Sequence, residues 1–144
     1  MSAGKSLIHI MLALAMGLGP AAAGDGAPPN TTWLWSKTSA AVSNSTAALA
    51  TGRFDRAIRL ALRAVANDTG PDRVIAVHNL CLAWLAKDQP DAADPYCVEA
   101  IVAIAGESGL STEQQVAVLE NIEHMQRQHP RARMLQLAAR ATCQ

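Results

Sequence analysis

Apolar residues recur at helical spacing on both sides of a short polar stretch in the chain. Leu80, Cys81 and Trp84 precede this stretch, residues 87–90, which consists of Lys, Asp, Gln and Pro. Three small residues follow it at the same spacing: Ala93, Cys97 and Ala100. Spacings of three and four residues place side chains on one face of an α-helix, and the polar stretch favours a turn. The pattern predicts a helical hairpin whose helices approach closely, with a cysteine on each facing stripe.

Helical spacing continues on either side of this hairpin and predicts an all-α fold of about six helices. The predicted helices cover residues 33–51, 54–66, 71–86, 93–104 and 112–128, with a last helix from Pro130. Thr31 or Thr32 is the expected N-cap of the first helix. Ser111 and Gln114 have the spacing of a capping box at the start of the fifth. Apolar and polar residues do not alternate for long enough to predict a strand.

Small residues of the second predicted helix recur in the fourth, displaced by 36 positions. The corresponding pairs are Ala57 and Ala93, Ala61 and Cys97, Ala64 and Ala100, and, one helix earlier, Ser45 and Cys81. A period of this length is typical of stacked helix pairs, because no pair buries its apolar face alone. The third pair keeps the helical spacing but loses this register, so we expect a degenerate capping pair. The chain is therefore predicted to form stacked antiparallel helix pairs in an α-solenoid.

Two sets of residues carry a resemblance to a known repeat. The first set is a leucine, the small residue that follows it and an aromatic residue three positions later: Leu80, Cys81 and Trp84. The second set is a glycine, an aromatic residue and alanines at set spacing: Gly52, Phe54, Ala57 and Ala64, continued by Ala93 and Ala100. With these residues the stretch 38–104 resembles a tetratricopeptide repeat (TPR) protein, and residues 111–142 match it poorly. Asp88 and Pro90 depart from the family's turn glycine and aromatic residue, and Cys81 and Cys97 occupy two facing core positions.

The resemblance implies a module that binds a peptide or a protein in a concave groove, without catalysis and without a cofactor. In the family register seven residues face the groove: Trp35, Val42, Leu49, Ile75, His78, Leu82 and Leu85. An apolar strip of this kind suits a helical or extended peptide. The alternative is that the third helix pair, or a second copy of the chain, covers the strip. Capture of a terminal carboxylate is disfavoured, because Asn79 matches that mode but Val42 and Thr46 replace its Lys and Asn.

Residues 1–23 have the pattern of a secretory signal peptide. Lys5 precedes an apolar run from Leu7 to Leu18, and small residues up to Ala23 suit a cleavage site. The run is short for a membrane span, which needs about 20 residues, and an uncleaved anchor is the alternative. Residues 24–32 are predicted to form a flexible leader, and residues 33–144 are predicted to form the TPR-like domain. We expect a periplasmic or secreted protein that has no membrane segment after cleavage.

Export makes disulfide formation between the cysteines more favourable, because paired thiols oxidise outside the cytosol. Cys81 and Cys97 lie on facing helices of the predicted hairpin, so a disulfide is expected between them. Two buried thiols that fill small core sites are the alternative. Cys143 is left over, either as an unpaired thiol or as a link in a homodimer.

The balanced charge of the chain and the lack of several known motifs disfavour some classes of function. The chain has 12 Lys and Arg against 12 Asp and Glu, and this balance disfavours nucleic-acid binding, which needs a basic surface. Glu120, Glu123 and His124 partly resemble a metallopeptidase helix, but that site needs two histidines one turn apart. Zinc-finger spacing, a nucleophile motif and a glycine-rich phosphate loop are absent from the sequence. We therefore expect neither an enzyme nor a metal site.

Two neighbouring segments carry opposite charge. Arg56, Arg59 and Arg63 form a basic stripe on the second predicted helix, and the next hairpin is acidic at Asp88, Asp91, Asp94 and Glu99. Such runs are usually solvated faces. Three functional hypotheses follow: an exported module that binds an unidentified protein or peptide, a small secreted helical domain that self-associates through the apolar strip or Cys143, and, weakest, a metal- or carboxylate-dependent hydrolase using His124.

Overall fold

The computed structural model describes residues 30–129, which form five α-helices. These are α1 (Ala40–Ala50), α2 (Phe54–Asn67), α3 (Gly70–Ala86), α4 (Pro90–Ala105) and α5 (Thr112–Gln128). No strand occurs in residues 30–129, so the all-α class is confirmed for this part of the chain. None of these helices is both long and apolar enough to span a bilayer. The predicted signal peptide, the sixth helix from Pro130 and Cys143 lie outside the described residues.

The central element is α3. Its residues from Val74 to Leu85 are buried, except that Trp84 is partly exposed, as expected for a helix that is surrounded by others. It packs against all four other described helices, while α1 also contacts α2 and α4 also contacts α5. Each helix therefore contacts its neighbour in sequence, and α1, α3 and α5 contact one another in succession. Stacked helix pairs have this order of contacts, and the more specific TPR assignment stays a prediction.

The first helix begins later than the sequence predicted. Helical spacing predicted its start at Trp33 with a threonine cap, but residues 30–39 contain no helix, α1 begins at Ala40 and Ser39 is the N-cap. The reason is Ser36, whose hydroxyl oxygen accepts hydrogen bonds from the main-chain N–H groups of Thr38 and Ser39 at 3.0 and 2.7 Å. Side-chain bonds of this kind compete with helical ones. Residues 33–39 are consequently non-helical.

The turn between α3 and α4 depends on two residues, which stand where the TPR pattern has a glycine and an aromatic residue. Asp88 has a φ of 56°, in the left-handed region that Asp tolerates better than most residues other than glycine. Pro90 is the first residue of α4, where its fixed φ suits the helix and its missing N–H costs little. The helix therefore starts three residues before the predicted Ala93.

The last described helix begins with the predicted capping box. Ser111 Oγ accepts a hydrogen bond from Gln114 N at 3.2 Å, and Gln114 Oε1 accepts one from Ser111 N at 3.0 Å. The two side chains satisfy N–H groups that have no partner within the helix. This local prediction is confirmed, and it sets the start of α5, whose buried face includes Val118 and Ile122.

Candidate binding face

Six of the seven side chains that the sequence assigned to a groove lie in the protein interior. They are at most 1% exposed: Val42, Leu49, Ile75, His78, Leu82 and Leu85. Trp35 is at the surface and is 52% exposed. In this conformation the six residues form core and do not line an open groove. The apolar strip is therefore covered by other parts of the same chain.

Among residues 30–129, two parts of the chain contribute to this cover. One is α5, the first helix of the third predicted pair, which packs against α3. The other is residues 30–39, which we call the N-terminal segment. Its Leu34 is 5% exposed and belongs to the hydrophobic core, and Trp33 packs against that core. A non-helical peptide thus occupies the face that α1, α3 and α5 share.

Five buried polar side chains lie on this face and form what we call the polar cluster: Ser45, Thr46, His78, Asn79 and Asn121. Asn79 Nδ2 donates to Thr46 Oγ1 at 3.0 Å and to Ser45 Oγ at 3.4 Å. Thr46 Oγ1 in turn donates to the main-chain oxygen of Leu34 at 2.7 Å. Buried polar groups are costly unless they are hydrogen-bonded. These bonds therefore tie the N-terminal segment to α1 and α3.

The side chain of Asn121 binds the main chain of the N-terminal segment. Its Oδ1 accepts a hydrogen bond from Thr32 N at 3.0 Å, and its Nδ2 donates to Thr32 O at 2.8 Å. A side-chain amide that pairs with both main-chain groups of one residue recognises an extended backbone independently of the side chain that it carries. The α5 helix thus holds a peptide backbone here, and in this structure the peptide is the protein's own.

His78 completes the polar cluster as a neutral imidazole. Asn121 Oδ1 faces the N–H group of Thr32, so Nδ2 of Asn121 is the atom 3.3 Å from His78 Nε2, and Nε2 accepts its hydrogen bond. The ring proton therefore lies on Nδ1, which has no hydrogen-bond partner in the part of the chain described. Burial lowers the pKa of His78 from 6.5 to about 4, because the charged form loses its hydration.

The two facing cysteines meet across the α3–α4 hairpin. The sulfur atoms of Cys81 and Cys97 are 1.93 Å apart, and their Cα atoms are 4.8 Å apart. Small buried residues on α4, Ala93 and Ala100, allow this close approach. The two cysteines therefore lie at disulfide distance, as the sequence predicted. Both cysteines are fully buried, so the folded protein shields the sulfur atoms from solvent.

The residues behind the hydrolase hypothesis are not brought together as an acid–base pair. His124 Nε2 lies 3.1 Å from the side-chain nitrogen of Gln128, while Glu123 pairs with Arg127 and Glu120 is exposed. Between residues 30 and 129 no three His, Cys, Asp or Glu side chains are grouped so that they could hold a metal ion. The structure gives His124 an amide neighbour instead of a carboxylate.

Sequence reasoning did not identify the residues that hold the N-terminal segment. A signal was present, because Asn121 lies between Val118 and Ile122 on the apolar side of α5, where a polar side chain needs a buried partner. That partner, Thr32, is 89 residues away in the chain. Spacing alone gave no means of naming it.

Comparison of the chain with protein-family models, with curated proteins and with solved structures gives no match. The geometry of the polar cluster and of the segment that it binds is therefore the basis on which a function can be assigned.

Proposed function

We propose that this protein is an exported, non-catalytic, TPR-like module that binds an extended segment of a peptide or protein. The observation that carries this proposal is the pairing of the Asn121 amide with both main-chain groups of Thr32. Backbone recognition by a buried amide is a way to hold peptides of varied sequence. The succession of contacts between α1, α3 and α5 supports the TPR-like arrangement, in which the first helices of consecutive pairs share one face.

In the proposed complex, a partner takes the place of residues 32–34. The oxygens of Thr32 and Leu34 both accept hydrogen bonds from the polar cluster, and the Leu34 side chain is buried. A partner needs an extended backbone. It also needs an aliphatic side chain two residues after the residue whose main chain binds Asn121. It also has to compete with a tethered segment, whose effective concentration is of order millimolar for a short link. We infer that the N-terminal segment lowers the apparent affinity of the face for partners.

The Cys81–Cys97 pair supports the proposed location. A disulfide in a bacterial or eukaryotic protein normally forms in an oxidising compartment such as the periplasm or the secretory pathway. Together with the signal-like residues 1–23, this favours export.

A peptide supplied in trans tests the proposed binding. Leu34→Asp places a carboxylate in the core and so releases the N-terminal segment, while the face itself is unchanged. We expect a labelled peptide with the sequence of residues 30–39 to bind this variant saturably in fluorescence anisotropy. The unaltered chain should bind it at least about tenfold more weakly, because its own segment competes. Circular dichroism establishes that the variant remains helical.

Two further substitutions separate binding from folding. In the Leu34→Asp background, Asn121→Ala should weaken peptide binding by about tenfold, whereas Glu120→Ala, at an exposed neighbouring position of α5, should not change it. Thr32→Pro is a milder way to release the segment, because it removes the main-chain N–H group that donates a hydrogen bond to Asn121 Oδ1. Helical variants that bind no peptide, or that bind it equally well without Asn121, would contradict the proposal.

Self-association is a second candidate function, favoured by two exposed apolar residues on α5. Val116 and Leu119 are one turn apart and are 46% and 45% exposed. If a second copy covers them, the chain should be a dimer in light scattering, and Val116→Lys with Leu119→Lys should make it monomeric, since two buried charges oppose the contact. A chain that is monomeric before substitution excludes this function.

A further inference from the structure

An open cavity of about 470 Å³ lies where the turn after α1, the start of α2 and the end of α3 meet. Six side chains line it: Arg53, Phe54, Asp55, Arg56, Arg59 and Lys87. None of these residues belongs to the polar cluster or to the N-terminal segment. The volume is within the range of small-molecule sites. The protein therefore has a second concave surface, distinct from the proposed peptide face.

The cavity is strongly cationic because its one carboxylate is already paired. Lys87 forms an ion pair with Asp55, and their hydrogen bond is the main reason that the pKa of Asp55 lies below its ordinary value. Arg53 Nε donates to Thr51 Oγ1 at 3.0 Å. The guanidinium groups of Arg56 and Arg59 donate no hydrogen bond and form no ion pair within residues 30–129, and the charge of Arg59 adds a smaller contribution to the lowered pKa of Asp55. Two guanidinium groups therefore have no direct hydrogen-bond or ion-pair partner among the described residues and are available to a ligand.

The groups that line the cavity belong to elements that are packed together. Gly52 has a φ of 71°, which permits the tight turn that brings α2 back against α1. Lys87 caps the C-terminus of α3 and its Nζ lies 5.4 Å from the centre of the Trp84 ring. The N-terminus of α2 has no side-chain cap, and its helix dipole adds positive potential at the cavity. The cations are therefore placed on a pre-formed framework.

We propose that this cavity binds a phosphate monoester with an aromatic or apolar body. Guanidinium groups bind phosphate oxygens through paired, charge-assisted hydrogen bonds. A phosphate group carries between one and two negative charges at neutral pH, which suits the free charges of Arg56 and Arg59 better than a monocarboxylate does. The partly buried ring of Phe54 supplies an apolar wall for the body of the ligand. The inference does not depend on the proposed peptide binding.

Calorimetric titration of the full chain with phenyl phosphate, at low ionic strength and neutral pH, tests this site. We expect saturable binding with one ligand per chain, and weaker binding of inorganic phosphate and of benzoate. Arg56→Gln and Arg59→Gln should each weaken phenyl phosphate binding by about tenfold. Arg63→Gln is the matched control, because Arg63 is exposed on the same helix but does not line the cavity. Its dissociation constant should stay within about twofold of the original.

Three outcomes would overturn the proposal. Equal weakening by all three arginine substitutions would show a diffuse effect of charge instead of a site. Absence of saturable binding by phenyl phosphate would exclude the ligand class. Binding to phosphatidylglycerol vesicles without binding to phenyl phosphate would assign the basic stripe to a membrane surface. The peptide of residues 30–39 should not compete with phenyl phosphate, so the two proposals succeed or fail separately.

Discussion

Reduction of the Cys81–Cys97 bridge is expected to lower the free energy of unfolding by about 3 kcal/mol. The bridge joins residues 16 apart in the chain, and a closed loop of that length restricts the unfolded chain by about this amount. For a small domain the change corresponds to roughly 10–20 °C in the melting temperature. Because both cysteines are fully buried, we also expect reductant to act only when the protein opens or is denatured.

Urea unfolding followed by circular dichroism measures this effect in a Cys143→Ser background, in which Cys81 and Cys97 are the only cysteines. The unfolding curve should move to lower urea after denaturation and refolding in the presence of reductant. The Cys81→Ala/Cys97→Ala variant is the control and should not respond to reductant. Coinciding curves for the oxidised and the reduced protein would show that the bridge does not stabilise the fold.

Acidification from pH 6.5 to about 4 is expected to remove about 3 kcal/mol of stability through His78. The imidazole has a pKa near 6.5 in the unfolded chain, whereas burial lowers its pKa to about 4 in the folded protein. Between these values the unfolded state binds the proton and the folded state does not. The free energy of unfolding therefore decreases as the pH falls, by about 1.4 kcal/mol per pH unit. Above the unfolded pKa His78 is neutral in both states and contributes no pH dependence.

The polar cluster explains what protonation of His78 would disturb first. A proton on Nε2 would face the Asn121 amide nitrogen, which donates to this atom at 3.3 Å, and two donors repel. Asn121 also holds Thr32, so we expect the N-terminal segment to loosen before global unfolding. The fluorescence of Trp33 and Trp35 should report this loosening.

Urea unfolding at several values between about pH 7 and pH 4.5 measures the dependence. His78→Gln should abolish most of the slope, and His124→Gln, a histidine whose neighbour is Gln128, should preserve it. The pKa of Asp55 is held below 3.8 by Lys87, so the contribution of that carboxylate is lost only at lower pH. A slope that is unchanged in His78→Gln would contradict the assignment.

Helix bounds near the hairpin could be predicted because their determinants are local. The short polar stretch 87–90, the Ser111–Gln114 capping box and small residues at intervals of three and four each act within a few residues, although α4 begins at Pro90, three residues before its predicted start. The facing of Cys81 and Cys97 followed from the same spacing, since a helical hairpin brings its two stripes together. For these features, close neighbours in sequence are also the physical partners.

The start of α1 was predicted incorrectly because a local hydrogen bond and a tertiary contact act together there. Trp33 and Leu34 were assigned to a helix, whereas the hydroxyl of Ser36 captures two main-chain N–H groups. Serine is compatible with both structures. What favours the non-helical one is the burial of Leu34 and its hydrogen bond from Thr46, which is a tertiary contact.

The sequence by itself determined the all-α class, the five described helices apart from the start of α1, and the meeting of the two cysteines, because short-range spacing and capping carry that information. Only the tertiary structure decided that the predicted groove is filled. The apolar pattern of Val42, Leu82 and Leu85 shows that these residues need cover, but hydrophobic burial is non-directional and does not specify which segment supplies it. That choice is made by directional bonds from Thr46 and Asn121 to the backbone of residues 32–34, which no local pattern encodes.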